Sequence, residues 1–319
     1  MKSMAIFLIT SLVCIGLACA ASAEKPVIKK LGTIDCDIVE TTPIVFNGKL
    51  YRFEYIRAVR YKENTTGNSF FRFVDVATGK RTASFAPGYH LGSAHVEGDT
   101  VYVYGVKEWG DHDIDVFWSK DMKTWQSERA LNGGRWAIFN TSVCKAGNEY
   151  VMAVEISEPA EEVGSVYTMR FAKSNDLIHW TMTPVECVYS KEKYTACPCL
   201  YFIDGQFYMI YLESKPGVYV THIVRSPDLV KWESSRLNPF LEPSDDDKKI
   251  ANSRLTLEQR KKIAGSENTN NSDVDICEFN GKTIINYSWG NQNGTEYLAA
   301  AEYDGPLAQF LKAWFPKSK

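Results

Sequence analysis

Ser119-Lys-Asp121-Met-Lys-Thr-Trp125, Ser174-Asn-Asp176-Leu-Ile-His-Trp180 and Ser226-Pro-Asp228-Leu-Val-Lys-Trp232 are three copies of one motif, Ser-x-Asp-x-x-x-Trp. Their starts lie 55 and 52 residues apart. Each copy follows a stretch of alternating apolar residues such as Val218-Tyr-Val-Thr-His-Ile-Val224, the pattern of a half-buried strand. A repeat at this period marks a supersecondary unit used several times over. A short acid between two strands accepts backbone N–H bonds and shapes a turn. The three aspartates are therefore read as scaffold, and the tryptophans as packing between neighbouring units.

Upstream of each motif lies a second repeat, two apolar, aromatic-rich runs around a glycine, the signature of a β-hairpin. Five copies turn at Gly48, Gly98, Gly147, Gly205 and Gly281. The spacings are 50, 49, 58 and 76 residues. The last is lengthened by an insertion over about 242–270 that carries Asp245-Asp246-Asp247 and a helical stretch, Thr256 to Ala264. Hairpin plus motif gives four strands per unit. The expected fold is all-β, a single five-bladed β-propeller over residues 24–319 with four-stranded antiparallel blades. The fifth unit lacks a fourth strand before a helix-like tail, Pro306 to Phe315, so Val27 to Thr33 is predicted to supply it and close the ring.

In an antiparallel hairpin the first strand starts and the second ends at the same edge, so in a propeller these positions converge around the axis. Glu40 and Asp273 each stand eight residues before their turn glycine; Glu155, Glu213 and Trp289 stand eight after theirs. Thr41, His95, Asn140, Thr195, Asn271 and Asp275 start first strands, and Arg57, Trp109, Asn291 and Gln292 follow second strands. Carboxylates and amides that bond hydroxyls, beside rings that cover an apolar sugar face, suit a carbohydrate. Glycosidic hydrolysis usually needs one protonated and one ionised carboxyl group, and crowding in a desolvated pocket separates their pKa values. The candidate acids are Glu40, Asp273, Glu155 and Glu213, with His95 as a further candidate. Each also has a plainer reading as a solvated strand end or a partner of a rim cation.

Lys2, the apolar run Ala5 to Ala20 and Ala21-Ser22-Ala23 read as a signal peptide over residues 1–23, implying a secreted or periplasmic protein. Lipid anchoring through Cys19 competes with this, though Gly16 departs from a lipobox. No later run is long enough to cross a membrane as a helix. A net charge of −3 argues against a nucleic-acid partner. Six cysteines remain after the signal, too few to make bridges a requirement of the fold; Cys197 and Cys199 read as small core residues. No metal-ligand spacing is present, and no cofactor is required. Sequons occur at Asn64, Asn140 and Asn293.

With its five hairpins, the Ser-x-Asp-x-x-x-Trp turns and the fifth-unit segment Asn270-Asn-Ser-Asp-Val-Asp275, the chain resembles the five-bladed propeller glycosidases of arabinanase, xylosidase and anhydrogalactosidase type. The resemblance implies an exported glycoside hydrolase, and it brings in calcium as a possible structural ion. It does not carry over the usual catalytic triad: Thr42 precedes Pro43 where an Asp is expected, the third first strand has no Glu, and His95 replaces an Asp. A divergent branch is implied, with Glu40 and Asp273, or one of them with Glu155 or Glu213, as the working pair. An exo-acting hydrolase, a glycan- or protein-binding propeller and a polysaccharide lyase remain the three functional alternatives, since fold alone does not settle chemistry.

Overall fold

The alternating segments fold as hairpins, each extended outward by further strands. The computed structural model describes residues 24–57, 68–292 and 294–317. The signal segment with Cys19, and the sequons at Asn64 and Asn293, lie outside the described residues. In chain order, β1 (Lys29–Cys36) precedes a three-stranded sheet of β2 (Thr41–Phe46), β3 (Lys49–Ile56) and β4 (Phe70–Asp75). A four-stranded sheet follows, β5 (His90–Glu97), β6 (Thr100–Val106), β7 (Asp113–Ser119) and β8 (Gln126–Asn132). The next comprises β9 (Ala137–Ala146), β10 (Glu149–Glu158), β11 (Thr168–Ser174), β12 (Thr181–Met182) and β13 (Val188–Tyr189). Finally β14 (Ala196–Ile203), β15 (Gln206–Lys215), β16 (Val218–Ser226) and β17 (Glu233–Ser234) are joined to β18 (Asn270–Phe279), β19 (Lys282–Gly290) and β20 (Glu296–Tyr303) by one parallel bridge, Tyr219 to Asn270.

The first strands β2, β5, β9, β14 and β18 contact one another in that order, and β18 returns to contact β2. They surround a common axis, an arrangement consistent with a propeller. As the sequence predicts, the N-terminal segment completes the last sheet: β1 pairs antiparallel with β20, from Lys29 opposite Glu302 to Cys36 opposite Tyr297.

The repeated motif is a turn scaffold. In each copy the Asp accepts backbone N–H bonds from the two residues before the Trp, for instance Val230 and Lys231 to Asp228 at 3.0 and 2.8 Å. The Ser hydroxyl bonds the same carboxylate at 3.0 to 3.2 Å. Each Trp packs against the preceding unit: Trp125 stacks on Phe85 at 3.8 Å, Trp180 meets Tyr104 edge-on at 5.7 Å, and Trp232 stacks on Phe171 at 5.7 Å. Trp314, after the C-terminal helix (Leu307–Ala313), does the same for the last unit by stacking on Phe240.

The insertion forms a 3-10 turn (Asp245–Lys248) and a helix (Leu257–Gly265) capped by Thr256, whose hydroxyl accepts from the Gln259 N–H. Asp247 is fully buried. Lys30, Tyr287, Asn268 and Asn271 all donate to it, at 2.7, 2.7, 2.8 and 3.1 Å. One carboxylate thus pins the insertion to β1 and to the last hairpin. All six cysteines of the described residues are free thiols.

Candidate active site

The first strands are interrupted by bulges close to one end. Register slips between His90 and Ser93, between Ala196 and Cys199, and between Ser272 and Asp275. Leu91, Cys197 and Asp273 in these bulges have φ of 52°, 52° and 48°, a left-handed conformation that Asp tolerates and that costs Leu and Cys more. In β10 the break falls at Glu155, which has no partner opposite it on β9. Bulges re-aim side chains, and here they turn residues of four hairpins toward the axis.

The resulting pocket is lined by Glu40, Thr41, Ser93, Asn140, Thr141, Cys197, Asp273 and Asp275. Glu155 stands directly behind it, accepting from Asn140 Nδ2 at 2.9 Å and from the Cys197 backbone N–H at 2.8 Å, both on Oε2. Glu40 is ion-paired through Oε1 with Arg57, while its buried Oε2 has no partner. The Thr41 hydroxyl, also buried, has none either. Asp273 accepts from Ser272 Oγ at 2.5 Å and Ser288 Oγ at 3.2 Å. Asp275 lies deeper and accepts from Thr42 Oγ1 at 2.7 Å.

Removal from water dominates the electrostatics. Burial pushes Glu155 up to about 7, against hydrogen bonds from Cys197 and Asn140 that pull it down; the charges of Asp273 and Glu40 add to the rise. Glu40 is raised by burial despite Arg57, and Asp273 raises it further. Burial also lifts Asp275 to about 7 and Glu296 to about 8. Several carboxyl groups crowded about one axis cannot all ionise readily, which is the condition for dividing acid and base roles among them.

Half-buried aromatic rings form a continuous arc that starts at Arg57, the partner of Glu40. Arg57 lies over Trp109 at 5.3 Å, and successive edge-on contacts link Trp109, Phe139, Tyr167, Tyr194 and Tyr219 at 6.4, 5.1, 5.4 and 6.1 Å. Burial raises the Tyr194 hydroxyl, and the carboxylates of Glu155 and Asp273 raise it further.

Of the residues singled out in the sequence, the structure brings together Glu40, Thr41, Arg57, Trp109, Asn140, Glu155, Asp273 and Asp275. The others stand elsewhere. His95 pairs with Tyr102 close to the hairpin turn and lines a separate cavity toward the far end of the axis; burial lowers it to about 4. Glu213 is held by Lys193 and Tyr211 at 2.8 and 2.9 Å, outside the pocket. Asn271 is spent on Asp247 and Lys30. Trp289 is fully buried with its Nε1 donating to Thr33, so it offers no face to a sugar. Thr195 is buried and donates to the Tyr167 carbonyl. Asn291 and Gln292 belong to the loop before β20, where Gln292 N–H donates to Glu296 at 2.7 Å and its Nε2 to Ser272 at 3.4 Å. Cys197, predicted as a core residue like Cys199, instead lines the pocket, because the bulge breaks the alternation that would pair their directions.

Sequence reasoning passed over Ser272, Ser288, Glu296 and the rings of Phe139, Tyr167 and Tyr219. Glu296 sits on a third strand and Tyr167 just ahead of one, positions to which hairpin counting gives no weight. Among the described residues no group of three or more His, Cys, Asp or Glu side chains is arranged to hold a metal ion.

No family model matches the sequence, and no curated protein shows significant similarity to it. Solved structures do resemble the fold. An α-L-arabinofuranosidase from Podospora anserina superposes with a TM-score of 0.59 at 10% identity, over 88% of this chain and 95% of that one. A glycosyl hydrolase from Bacteroides ovatus gives 0.56 at 14% identity, over 86% and 90%. A β-fructofuranosidase from Bombyx mori gives 0.54 at 12% identity, over 86% of this chain and 61% of its own. The chain shares the propeller fold of these glycoside hydrolases.

Proposed function

We propose that this chain is an exported, five-bladed propeller glycoside hydrolase that acts at the ends of an oligo- or polysaccharide. The observation that carries the reading is the meeting of Glu40, Glu155 and Asp273, contributed by three separate sheets, around one axial pocket, with an arc of aromatic rings starting at the Arg57 that pairs with Glu40. The cycle of first strands supports five blades, and the leader read from the sequence supports export. Structural likeness to glycoside hydrolases supports the reaction class, while the pocket residues of this chain supply its chemistry.

Glu155 is the general acid. Burial holds its proton to about 7, near the working pH at which a proton donor is most effective. Asn140 and Cys197 fix one oxygen, and the other is the one assigned to protonate the leaving oxygen of the glycosidic bond. Asp273, fixed by two serine hydroxyls, is the second carboxyl group and acts as base or nucleophile. Glu40, oriented by Arg57, presents its partnerless Oε2 and, with Thr41 Oγ1, binds sugar hydroxyls; a buried polar atom without a partner is costly until such a bond forms. Trp109 and its neighbouring rings cover the apolar sugar face. A depression bounded by strands all round the axis admits a chain end rather than a passing chain.

A panel of plant, algal and host glycans is screened for released reducing sugar. Glu155→Gln and Asp273→Asn should each lower turnover of any cleaved glycan by about 10³-fold or more, with little loss of thermal stability. Full activity in both variants would remove the assignment, and an unsaturated, ultraviolet-absorbing product would show a lyase instead.

A further inference from the structure

Glu213, outside the pocket, organises a cationic cluster that the hydrolytic chemistry does not use. Its Oε2 accepts from Lys193 Nζ at 2.8 Å and from Tyr211 OH at 2.9 Å, with His222 Nδ1 at 3.3 Å. Lys215 Nζ stands 3.1 Å from His222 Nε2. Burial and the neighbouring lysines lower His222 to about 4 although Glu213 opposes this, so the ring is neutral. A neutral ring whose Nδ1–H faces Glu213 has an Nε2 lone pair to accept from Lys215. Two ammonium groups therefore face a single carboxylate, and the cluster carries a net positive charge. Lys193 keeps 39% of its side chain exposed, and Lys215 is exposed as well. The Lys193 ammonium also lies over the rings of Tyr211 and Tyr189, at 5.4 and 5.9 Å, which fixes its place on the rim.

The position of this cluster gives it meaning. Lys193 immediately precedes Tyr194, whose ring joins the arc to Tyr219 and whose hydroxyl feels the charges of Glu155 and Asp273. Lys215 ends β15 on the same face of the sheet as Tyr211, Glu213 and His222, which pairs with Tyr211. A saccharide with its end in the pocket and its next unit along Tyr194 passes beside Lys193, and Lys215 joins the same charged cluster through His222 and Glu213. An uncharged sugar would gain little there, whereas an anionic group would form charge-assisted hydrogen bonds with both.

On the reading that the pocket cleaves glycans, we propose that Lys193 and Lys215, held by Glu213 and His222, form a subsite for an anionic substituent, a carboxylate or a sulfate, on a sugar unit beyond the one in the pocket. The substrate class is thus an acidic glycan.

The test uses matched pairs: uronic-acid oligosaccharides with their carboxyl-reduced forms, and sulfated oligosaccharides with their desulfated forms. The two arms separate carboxylate from sulfate. Turnover is measured on the full chain, and binding on the Glu155→Gln variant by calorimetry. For at least one arm the acidic member should be favoured about tenfold or more, and the preference should shrink as salt rises from about 0.01 to about 1 M. In a Lys193→Gln/Lys215→Gln variant the acidic-to-neutral ratio should approach one. Equal binding of both members of every pair, binding of neither, or a preference untouched by the double substitution would overturn the subsite. A protein that cleaves glycans without charge preference refutes this inference alone. One that cleaves none refutes the hydrolase reading, and calorimetry still decides the subsite.

Discussion

Replacing Glu155 with Gln should stabilise the protein while removing its activity, and the gain should depend on pH in a defined way. The wild-type carboxyl is raised from 4.5 to about 7, first by burial. Between those values the folded protein holds a proton that the unfolded chain has released. Wild-type stability therefore falls as pH rises through this window, and the whole penalty is present above about 7. One tenfold change in proton affinity is about 1.4 kcal/mol, so the ionised side chain costs the folded state about 3 kcal/mol at pH 8. Glutamine has the shape of the protonated acid and cannot ionise, and its carbonyl can still accept from Asn140 and the Cys197 N–H. The variant should equal wild type near pH 4.5 and melt roughly 5–10 °C higher at pH 8. Thermal unfolding of both proteins in steps from pH 4.5 to 8.5 measures the difference directly, and Asp275 and Glu296 contribute equally to both. A difference that stays constant with pH, or a variant less stable at pH 8, would refute the claim that burial holds the proton on Glu155.

Other consequences follow from the packing. Trp180→Ala removes a buried ring seated against Tyr104 in the neighbouring unit, and chemical denaturation should show a loss of about 3–5 kcal/mol. Asp247→Ala leaves the buried Lys30 ammonium without its carboxylate and should cost about 3–5 kcal/mol in the same assay; changing Lys30 to Met as well should return much of it. If the chain is the proposed hydrolase, Trp109→Ala should lower kcat/KM on a cleaved glycan about tenfold, chiefly through KM, since the ring lies over Arg57 and is assigned to cover the sugar.

Much of the architecture was legible because it is built from local, repeated chemistry. The Asp of each motif accepts N–H bonds from residues two and three positions on, so its role is written within seven residues. The hairpins turn at residue pairs such as Asn47-Gly48 and Asn280-Gly281, both left-handed, as type I′ turns demand. The helix after Thr256 announces its start by a reciprocal Thr–Gln cap. Even the closing strand could be inferred, since the last unit was one strand short and the N-terminal segment was unassigned.

The site was only half legible. Counting residues from the turn glycine picked out Glu40, Asp273 and Glu155, but the same count selected Glu213 and Trp289, which point into other surroundings. Counting assumes an unbroken alternation. The bulges at Cys197 and Asp273 break it, and whether a strand bulges depends on the neighbours that press on it.

Sequence by itself determined the period, the turns and the rim of the molecule on which the acids lie, because these depend on contacts a few residues long. Tertiary structure alone decided which acids face one another, how far burial lifts their protons, and that Glu213 gathers lysines beside the pocket instead of joining it. Those properties arise from desolvation and charge at short range between residues 40, 155 and 273 in sequence, and only closure around the axis brings such residues together.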